Sequence, residues 1–431
     1  MNSQVARFNK ITWLIVALAI LPFSACKKDD PADPATNDCR QGVYDIVKEW
    51  YLWQDQLPQN FNPADYDTPA DVMEALRYKT DDRWSSVSDL KAYQQFFEQG
   101  KFVGLGFGLH RDVVGNIWIT YAYADSPAGR AGVKRGWRVS KIGGVSVASI
   151  EDVNGAFGPN EDGYTLEMTF LRQDGAEETH SLVKEEVNIN TVLHQEVIET
   201  SAGKTGYLVF KNFIETSRVE LDHAFATFQA EGIDELILDL RYNGGGRVDV
   251  ATLLAGYIVP VGADNQVLLD YLHNENKKSE NSSVLVEKQG GLEFNRLVVL
   301  TAGGTASASE LIINGMRPYM EVTTIGSATH GKPVGSYGFS CASEFAVSPI
   351  AFRVANADGV TDYFDGIAED FASSDDLTHG FGDPNEAMLQ SAIEFLETGS
   401  VTTSLGRAAE AFGQGVTEVL IRKDLPELNS Y

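Results

Sequence analysis

A serine and a lysine stand 25 residues apart in a pattern that is typical of nucleophilic catalysis. Ser307 follows an apolar, β-rich run over 297–301 and a glycine turn, and it stands at the start of a predicted helix over 306–317. A serine at the end of a rigid strand is accessible, and a helix N-terminus offers free N–H groups to a developing oxyanion. The alternative interpretation is a helix cap, because Ser and Thr often precede helices for that reason alone.

Lys332 is the candidate general base for Ser307. The helix over 306–317 runs about 18 Å and stops before Pro318, and a predicted strand over 322–325 covers a comparable length on the way back. The chain then reaches Lys332 near the point where it left Ser307. Because lysine accepts a proton only when it is neutral, the site must bury Lys332 enough to lower its pKa. Without that burial Lys332 is a surface charge.

A glycine cluster follows a third buried strand, predicted over 236–240. The cluster ends in Gly244, Gly245 and Gly246. Glycines allow a backbone N–H to approach a substrate carbonyl, so this loop and the N–H of Ala308 could form an oxyanion hole. An ordinary loop is the alternative, since glycine runs often follow strands in α/β folds. The chain lacks Gly-x-Ser-x-Gly and His-Glu-x-x-His, which disfavours a nucleophile elbow of that type and a zincin.

A second group of glycines resembles a peptide-binding module. Gly104, Leu105, Gly106 and Phe107 stand between a loop and a strand, and Ser-Pro-Ala over 126–128 and Ala-Gly-Val over 131–133 follow. This combination resembles a PDZ domain over 99–187, although Trp137 replaces the acidic residue usual after the glycine. Such a loop turns its N–H groups toward a terminal carboxylate, and the adjoining strand edge accepts the peptide as an extra strand. We therefore expect apolar C-terminal tails to bind there.

Together these segments resemble the C-terminal processing, or tail-specific, peptidase family of serine proteases over about residues 40–395. The resemblance implies a crotonase-like (Clp/crotonase) α/β core, a Ser-Lys mechanism, and no metal or organic cofactor. It assigns these roles: Ser307 rather than Ser309 as nucleophile, Lys332 as base, and Gly245 or Gly246 with Ala308 as oxyanion donors. Many members carry Gln four residues after the catalytic lysine, where this chain has Ser336. Either Ser336 supplies a weaker hydrogen bond to Lys332, or another group orients it.

The amino terminus predicts export and lipid attachment. A basic start and a 13-residue apolar run over 11–23 indicate a signal peptide over 1–25, because the run is too short to span a bilayer. Small residues before Cys26 resemble a bacterial lipobox, which predicts lipidation of Cys26; ordinary cleavage nearby is the alternative. We expect an outer-membrane lipoprotein, periplasmic or surface-exposed. Cys39 and Cys341 could then pair in an oxidising compartment, but the sequence does not fix their distance.

Length and patterning predict several domains in the 431 residues. After a tether over 26–39, we predict a helical domain over 40–98, whose aromatic side chains, Trp84 among them, are interpreted as core. The PDZ-like β-rich domain over 99–187, the catalytic α/β domain over 188–398 and an extension over 399–431 follow. A formal net charge of -27 disfavours nucleic acid as a partner.

The sequence thus predicts a serine endopeptidase that acts on proteins or peptides with free C-terminal tails and meets the membrane through its lipid only. A noncatalytic peptide-binding lipoprotein on a protease-like scaffold is the main alternative, because a fold does not fix function. A serine hydrolase of non-peptide esters is a weaker one, since the PDZ-like module argues for peptides.

Overall fold

The computed structural model describes residues 39–402. The predicted signal peptide over 1–25, the lipidation site Cys26 with all of the tether except residue 39, and the extension from residue 403 onward lie outside the described residues. Between residues 39 and 402, no helix is both long and apolar enough to cross a bilayer.

The amino-terminal segment is mainly helical and packs on strands from the far end of the chain. Thr68 and Asp71 begin its second helix as a capping box, in which each side chain accepts the other's backbone N–H. Its core joins Val43 and Trp84 to Val347 and other residues of later strands. The elements are α1 (Cys39–Trp50), α2 (Pro69–Leu76), β1 (Ser86–Asp89) and α3 (Leu90–Phe97).

A disulfide ties this segment to the carboxyl-terminal half of the chain. Cys39 at the start of α1 bonds to Cys341, with Cα atoms 5.8 Å apart and a sequence separation of 302. The pairing that the sequence left open is therefore present. The helical content predicted for this part of the chain is present as α1, α2 and α3.

The next segment forms an antiparallel sheet with its own core. The strand order is β3-β4-β5-β7-β8, with β6 paired to β5, while β2 and β9 form a separate pair. β3 therefore lies at a sheet edge. The elements are β2 (Lys101–Gly104), β3 (Phe107–Arg111), β4 (Ile117–Ala122), α4 (Pro127–Arg130), β5 (Arg138–Ile142), β6 (Val145–Ser146), α5 (Val153–Ala156), β7 (Thr165–Leu171), β8 (Glu177–Val183) and β9 (Glu185–Asn188).

The remaining described residues alternate strands and helices. The strands predicted over 236–240, 297–301 and 322–325 are confirmed as β12, β15 and β16 below. The elements are β10 (Val192–Thr200), β11 (Gly203–Phe210), α6 (Ser217–Glu231), β12 (Glu235–Asp239), α7 (Val248–Ile258), β13 (Val267–His273), β14 (Ser282–Leu285), β15 (Arg296–Thr301), α8 (Ala308–Met316), β16 (Glu321–Gly326), β17 (Val334–Ser336), β18 (Phe339–Cys341), β19 (Phe345–Ser348), β20 (Ile350–Ala355), β21 (Phe371–Ala372) and α9 (Ala387–Thr398).

The central sheet has the order β10-β11-β12-β15-β16-β21, and every pair from β11 to β21 is parallel. Alternate residues of β12 enter different cores: Leu236 and Leu238 pack with residues of α6, α7 and α8, and Ile237 packs with Leu389 of α9. A parallel sheet covered on both faces accounts for its near-continuous apolar strands. The carboxyl ends of β12, β15 and β16 meet at one edge, where ligands bind in open α/β sheets.

Two smaller sheets complete the fold, with the orders β14-β13-β20-β17 and β1-β19-β18. β17 begins two residues after Lys332, so the candidate base lies between the central sheet and this smaller one. The predicted α/β class is confirmed by this arrangement.

Candidate active site

Ser307 occupies a strained turn between β15 and α8. Its backbone has φ 56° and ψ -113°, a region that few residues other than glycine adopt. The turn is fixed from below, because the Thr305 hydroxyl donates to the Leu240 carbonyl at 2.8 Å and the Ala306 N–H donates to the Asn243 carbonyl at 3.1 Å. Ser307 is half-buried and lines a cavity of about 460 Å³.

Ser309, the neighbouring serine, is engaged elsewhere. It is fully buried, and its hydroxyl donates to the Asn243 carbonyl at 2.9 Å. Ser307 is therefore the serine of this segment that faces the cavity.

Glu310 connects the Ser307 segment to the Lys332 segment. One carboxylate oxygen accepts the N–H groups of Ser307 and Lys332, both at 2.8 Å. The other accepts the Thr329 hydroxyl at 2.5 Å and the Gly331 N–H at 2.6 Å. Burial raises the pKa of Glu310, and these four hydrogen bonds oppose the rise. The side chain thus fixes two segments that are distant in sequence.

Lys332 lines the same cavity as Ser307. The side chain is buried, and burial lowers the pKa of Lys332 to about 8, although the negative charges of Asp82 and Glu310 oppose this shift. The direction is the one that a general base requires. With such a pKa, roughly a tenth of the amine is neutral at pH 7 and most of it is neutral above pH 9.

The glycine loop after β12 lies against the nucleophile turn. A Cβ added to Gly245 would lie 2.8 Å from the Ser307 Cβ and 2.9 Å from the Ala308 nitrogen, so only glycine fits there. The Gly245 N–H itself donates to the Asn243 side chain at 2.8 Å. The N–H groups of Gly246 and Ala308 have no acceptor among residues 39–402. Of the two predicted loop donors, Gly246 is therefore the one with a free N–H.

A buried cluster of charges holds this loop from behind. The Arg241 guanidinium is fully buried and forms ion pairs with Asp239 at 2.9 Å, Asp375 at 2.9 Å and Glu386 at 2.7 Å. Burial disfavours the cation, but the three carboxylates outweigh burial and raise the pKa of Arg241. Asp375 also pairs with Arg135 of the β3–β8 sheet at 2.7 Å. The loop is thereby tied both to α9 and to the neighbouring sheet.

Ser336 lies on the wall of the cavity but does not hold Lys332. Its side chain is exposed, and the hydroxyl has no hydrogen-bond partner within the part of the chain that the structure describes. Of the two alternatives for orienting Lys332, the structure favours another group.

The second predicted site, the glycine turn over 104–107, joins β2 to β3. Gly106 has φ 82°, and its carbonyl accepts the Tyr123 N–H at 2.9 Å and the Ser126 hydroxyl at 3.2 Å. Leu105 is buried, and its carbonyl accepts the Ala128 N–H at 3.1 Å. Ser126 and Ala128 belong to the Ser-Pro-Ala motif, so that motif braces the turn. The N–H groups of Leu105 and Gly106 have no acceptor among the described residues.

Sequence reasoning missed the roles of Glu310 and Arg241. Glu310 lies in the segment that was singled out for Ser307, and Arg241 lies in the segment that was singled out for its glycines. The Ser-x-x-Glu spacing at 307–310 is a capping-box signal that could have indicated a Glu310 contact with Ser307. Within residues 39–402, no group of three or more His, Cys, Asp or Glu side chains is placed to hold a metal ion.

The fold and site define an α/β protein in which a serine and a lysine line one cavity at the carboxyl edge of a largely parallel sheet. Residues 204–373 match the model of "Peptidase family S41", and residues 38–86 match "Peptidase S41 N-terminal domain". Together the two matches cover about half of the chain. The chain belongs to peptidase family S41, which confirms the family resemblance predicted from the sequence.

Relatives and a solved structure agree with this assignment. A "Probable CtpA-like serine protease" of Staphylococcus saprophyticus subsp. saprophyticus is 25% identical over 333 residues, covering 75% of this chain and 64% of the relative. A protein of the same name from Staphylococcus aureus (strain N315) is 27% identical over 242 residues, covering 54% of this chain and 45% of the relative. The chain thus spans less than two thirds of the length of these curated relatives.

The crystal structure of an S41 family protein from Bacteroides fragilis NCTC 9343 has the same fold. Its TM-score is 0.70 at 24% sequence identity, covering 82% of this chain and 96% of that one.

Proposed function

We propose that this protein is a serine endopeptidase in which Ser307 is the nucleophile and Lys332 the general base. The observation that carries the proposal is that both side chains line one cavity while Glu310 holds the backbone of both at 2.8 Å. A buried lysine whose pKa is lowered to about 8 can take a proton from a serine hydroxyl near neutral pH.

The chemistry proceeds in two halves. Ser307 Oγ bonds to the scissile carbonyl carbon while its proton passes to Lys332 Nζ, which gives a tetrahedral oxyanion. The ammonium then returns a proton to the leaving amine as the peptide C–N bond breaks, and an acyl-enzyme remains. Water attacks the ester with Lys332 again as base, and release of the acid restores the Ser307 hydroxyl.

The oxyanion would bind between Gly246 and Ala308. Both N–H groups lack an acceptor within the described residues, and Ala308 opens α8, whose N-terminus carries partial positive charge. Gly245 permits the close approach of the two segments, while Asn243 occupies its N–H.

Substrate capture belongs to the same proposal. The β3–β8 sheet would act as a PDZ-like module, with the turn over 104–107 binding a terminal carboxylate and the edge strand β3 pairing with the tail. Two features support it: the N–H groups of Leu105 and Gly106 are unpaired in the described structure, and β3 has a free edge. The central sheet with α6–α9 would correspondingly be the crotonase-like core.

Labelling with a fluorophosphonate tests the catalytic proposal. Wild type and Ser340→Ala, which removes an exposed serine outside the cavity, should be labelled and should cleave unstructured polypeptides. Ser307→Ala should show neither property. If the wild type is neither labelled nor active, the noncatalytic peptide-binding alternative gains support; if it cleaves small esters but not polypeptides, the ester hydrolase does.

Tail recognition has its own test. A substrate with a free C-terminal carboxylate and the same substrate with an amidated terminus should differ in KM, since only the first can bind the 104–107 turn. Equal KM values would remove the tail-binding part of the proposal and leave the catalytic part intact.

We further propose that Cys26 carries lipid and anchors the protein at the outer membrane, on its periplasmic or outer face. Support comes from the lipobox-like residues before Cys26. Incorporation of a labelled fatty acid into wild type but not Cys26→Ser would be expected, and equal incorporation would contradict it.

A further inference from the structure

Ser336 makes no hydrogen bond to Lys332, so other groups around the lysine are candidates for positioning it. The candidate is the segment over residues 82–85, at the end of the amino-terminal helices. This segment packs against the loop over 329–332, and Trp84 is its central side chain.

Trp84 contacts the base segment at two points. Its ring centroid lies 5.8 Å from Lys332 Nζ, within the range of a cation–π contact. Its indole N–H donates to His330 Nε2 at 3.2 Å. The His330 ring also hydrogen-bonds to the backbone of Gly303, in the turn that leads to Ser307. Trp84, His330 and Gly303 thus connect the amino-terminal segment to both halves of the catalytic pair.

His330 must be neutral for this connection. Burial lowers the pKa of His330 to about 4, and the positive charges of Lys332 and Arg83 add to the effect. A neutral imidazole keeps Nε2 as an acceptor for the indole N–H and leaves Nδ1 as a donor. The Trp84–His330 hydrogen bond therefore persists at neutral pH.

Asp82 fixes the conformation of the segment. It is almost fully buried, and one oxygen accepts the backbone N–H groups of Trp84 and Ser85, both at 2.9 Å. The other oxygen accepts the Tyr51 hydroxyl at 2.7 Å. The Ser85 hydroxyl in turn accepts the Ile350 N–H at 2.8 Å, next to β17. Asp82 therefore sets where the Trp84 ring stands.

Asp82 is also one of two carboxylates whose negative charge raises the pKa of Lys332 and so opposes the effect of burial. The other is Glu310, whose oxygens all accept hydrogen bonds from the loops around it. His330 and Arg83 are the further titratable groups of this region, and the first is neutral while the second stacks on the outer side of Trp84 at 5.1 Å. Among these groups, Asp82 is the carboxylate of the amino-terminal segment whose negative charge acts on Lys332.

We propose that the segment over 82–85 positions the general base: Asp82 holds Trp84 against Lys332 and supplies a negative charge beside it, and Trp84 holds His330. The amino-terminal helical region would then be part of the catalytic apparatus and would take the place of the glutamine that follows the lysine in many tail-specific peptidases. This inference rests on the proposed Ser307–Lys332 mechanism.

The pH dependence of kcat/KM separates this role from a structural one. In wild type, activity should rise with pH through about 8, because Lys332 must lose its proton to act as base. Asp82→Asn keeps an oxygen for the two N–H groups but removes the negative charge that favours the ammonium. The rise should therefore move to lower pH, by about one pH unit. Asp81→Asn, which removes the adjacent half-buried carboxylate, should leave the profile in place.

Trp84→Phe tests the second part of the proposal, that Trp84 holds His330. The ring remains, but the donor to His330 is lost, so the loop over 329–332 is less well held. We expect kcat to fall about 10- to 100-fold with little change in KM. Trp84→Leu, which also loses the aromatic face, should be less active than Trp84→Phe.

The outcomes remain distinguishable. If the wild type is inactive and is not labelled by a fluorophosphonate, the proposed function fails. If the wild type is active and folded Asp82→Asn keeps the wild-type profile or shifts it upward, the positioning role is overturned while the catalytic pair stands. Should Asp82→Asn fail to fold, the comparison of kcat and KM in Trp84→Phe decides: an unchanged kcat overturns the proposal, and a selective loss of kcat supports it.

Discussion

Two buried anchors hold the segments that meet at Ser307, and they are built on different chemistry. The Arg241 anchor, made of Arg241 with Asp239, Asp375 and Glu386, holds the glycine loop through ion pairs. The Glu310 anchor holds the nucleophile and base segments, and its carboxylate accepts three backbone N–H groups and one hydroxyl. One anchor pairs charge with charge, and the other surrounds a single carboxylate with neutral donors.

The difference suits what each anchor must hold. The loop over 239–246 has to be placed relative to α9 and the neighbouring sheet, and long ion-paired side chains can join elements that are far apart in the chain. The segments of Ser307 and Lys332 have to be placed relative to each other at atomic precision, and backbone hydrogen bonds to one carboxylate fix the main chain itself. A neutral donor set also adds no positive charge beside Lys332.

Arg241→Met should have the largest effect on stability. It leaves Asp239 and Glu386 buried without their cation, which costs about 3–5 kcal/mol in the free energy of unfolding. Urea denaturation measures this loss. Arg218→Met is the matched control, because Arg218 is half-exposed on α6 and its ion pair with Asp249 is worth about 1 kcal/mol or less. Equal losses in the two variants would mean that the Arg241 anchor holds nothing beyond a surface pair.

Glu310→Gln should lower the free energy of unfolding less than Arg241→Met does. Its main effect should be a loss of catalytic activity. The amide offers one oxygen, so its NH₂ group must face two of the four donors, which costs about 1–3 kcal/mol. The shift of Ser307 relative to Lys332 should lower kcat/KM about 100-fold. Glu321→Gln, at an exposed carboxylate that begins β16, should change neither quantity. If Glu310→Gln lost only stability, the anchor would be structural and the contrast between the two anchors would disappear.

Gly245→Ala probes the contact between the two anchors. The new Cβ would meet the Ala306 carbonyl oxygen at 2.7 Å and the Ser307 Cβ at 2.8 Å, and φ at this position is 99°. We expect a loss of roughly 1–2 kcal/mol in stability, from backbone strain, and a clear loss of turnover. Gly303→Ala lies in the same turn as Ser307, but its Cβ would meet no atom within 4 Å. Gly303→Ala should therefore keep near-wild-type activity. If Gly245→Ala kept it as well, the glycine loop could move away from Ser307 without loss of turnover.

Much of the central sheet and the order of its helices could be predicted from the sequence, because apolar runs such as those of β12, β15 and β16 are long and bounded by clear turns. Contacts between segments that are far apart in the chain could not be predicted from the sequence. The strands β13 and β20 lie in a sheet whose members are separated by a long stretch of chain, and the pairing of Cys39 with Cys341 spans 302 residues. Such contacts depend on tertiary packing rather than on local pattern.

The same limit applies at the site. The spacing of Ser307 and Lys332 could be interpreted, because a single helix and strand connect them. Asp82 and Trp84 lie more than 200 residues earlier in the chain, and the aromatic spacing around Trp84 is typical of an ordinary core, to which Trp84 also belongs. When a core residue also positions a catalytic group, the local sequence pattern is the same as for any other core residue.

Ser336→Ala should have the smallest effect on activity. It tests a residue of the cavity wall that belongs to neither the Arg241 anchor nor the Glu310 anchor. The Ser336 hydroxyl is exposed and has no partner among the described residues, so water already satisfies it and its removal changes little. We expect kcat/KM and its pH profile to stay within about twofold of wild type. A loss as large as that of Trp84→Phe would instead assign Ser336 the place of the family's glutamine. An unchanged profile would agree with buried groups holding Lys332, namely Glu310 at its backbone N–H and Trp84 of the segment over 82–85 at its ammonium.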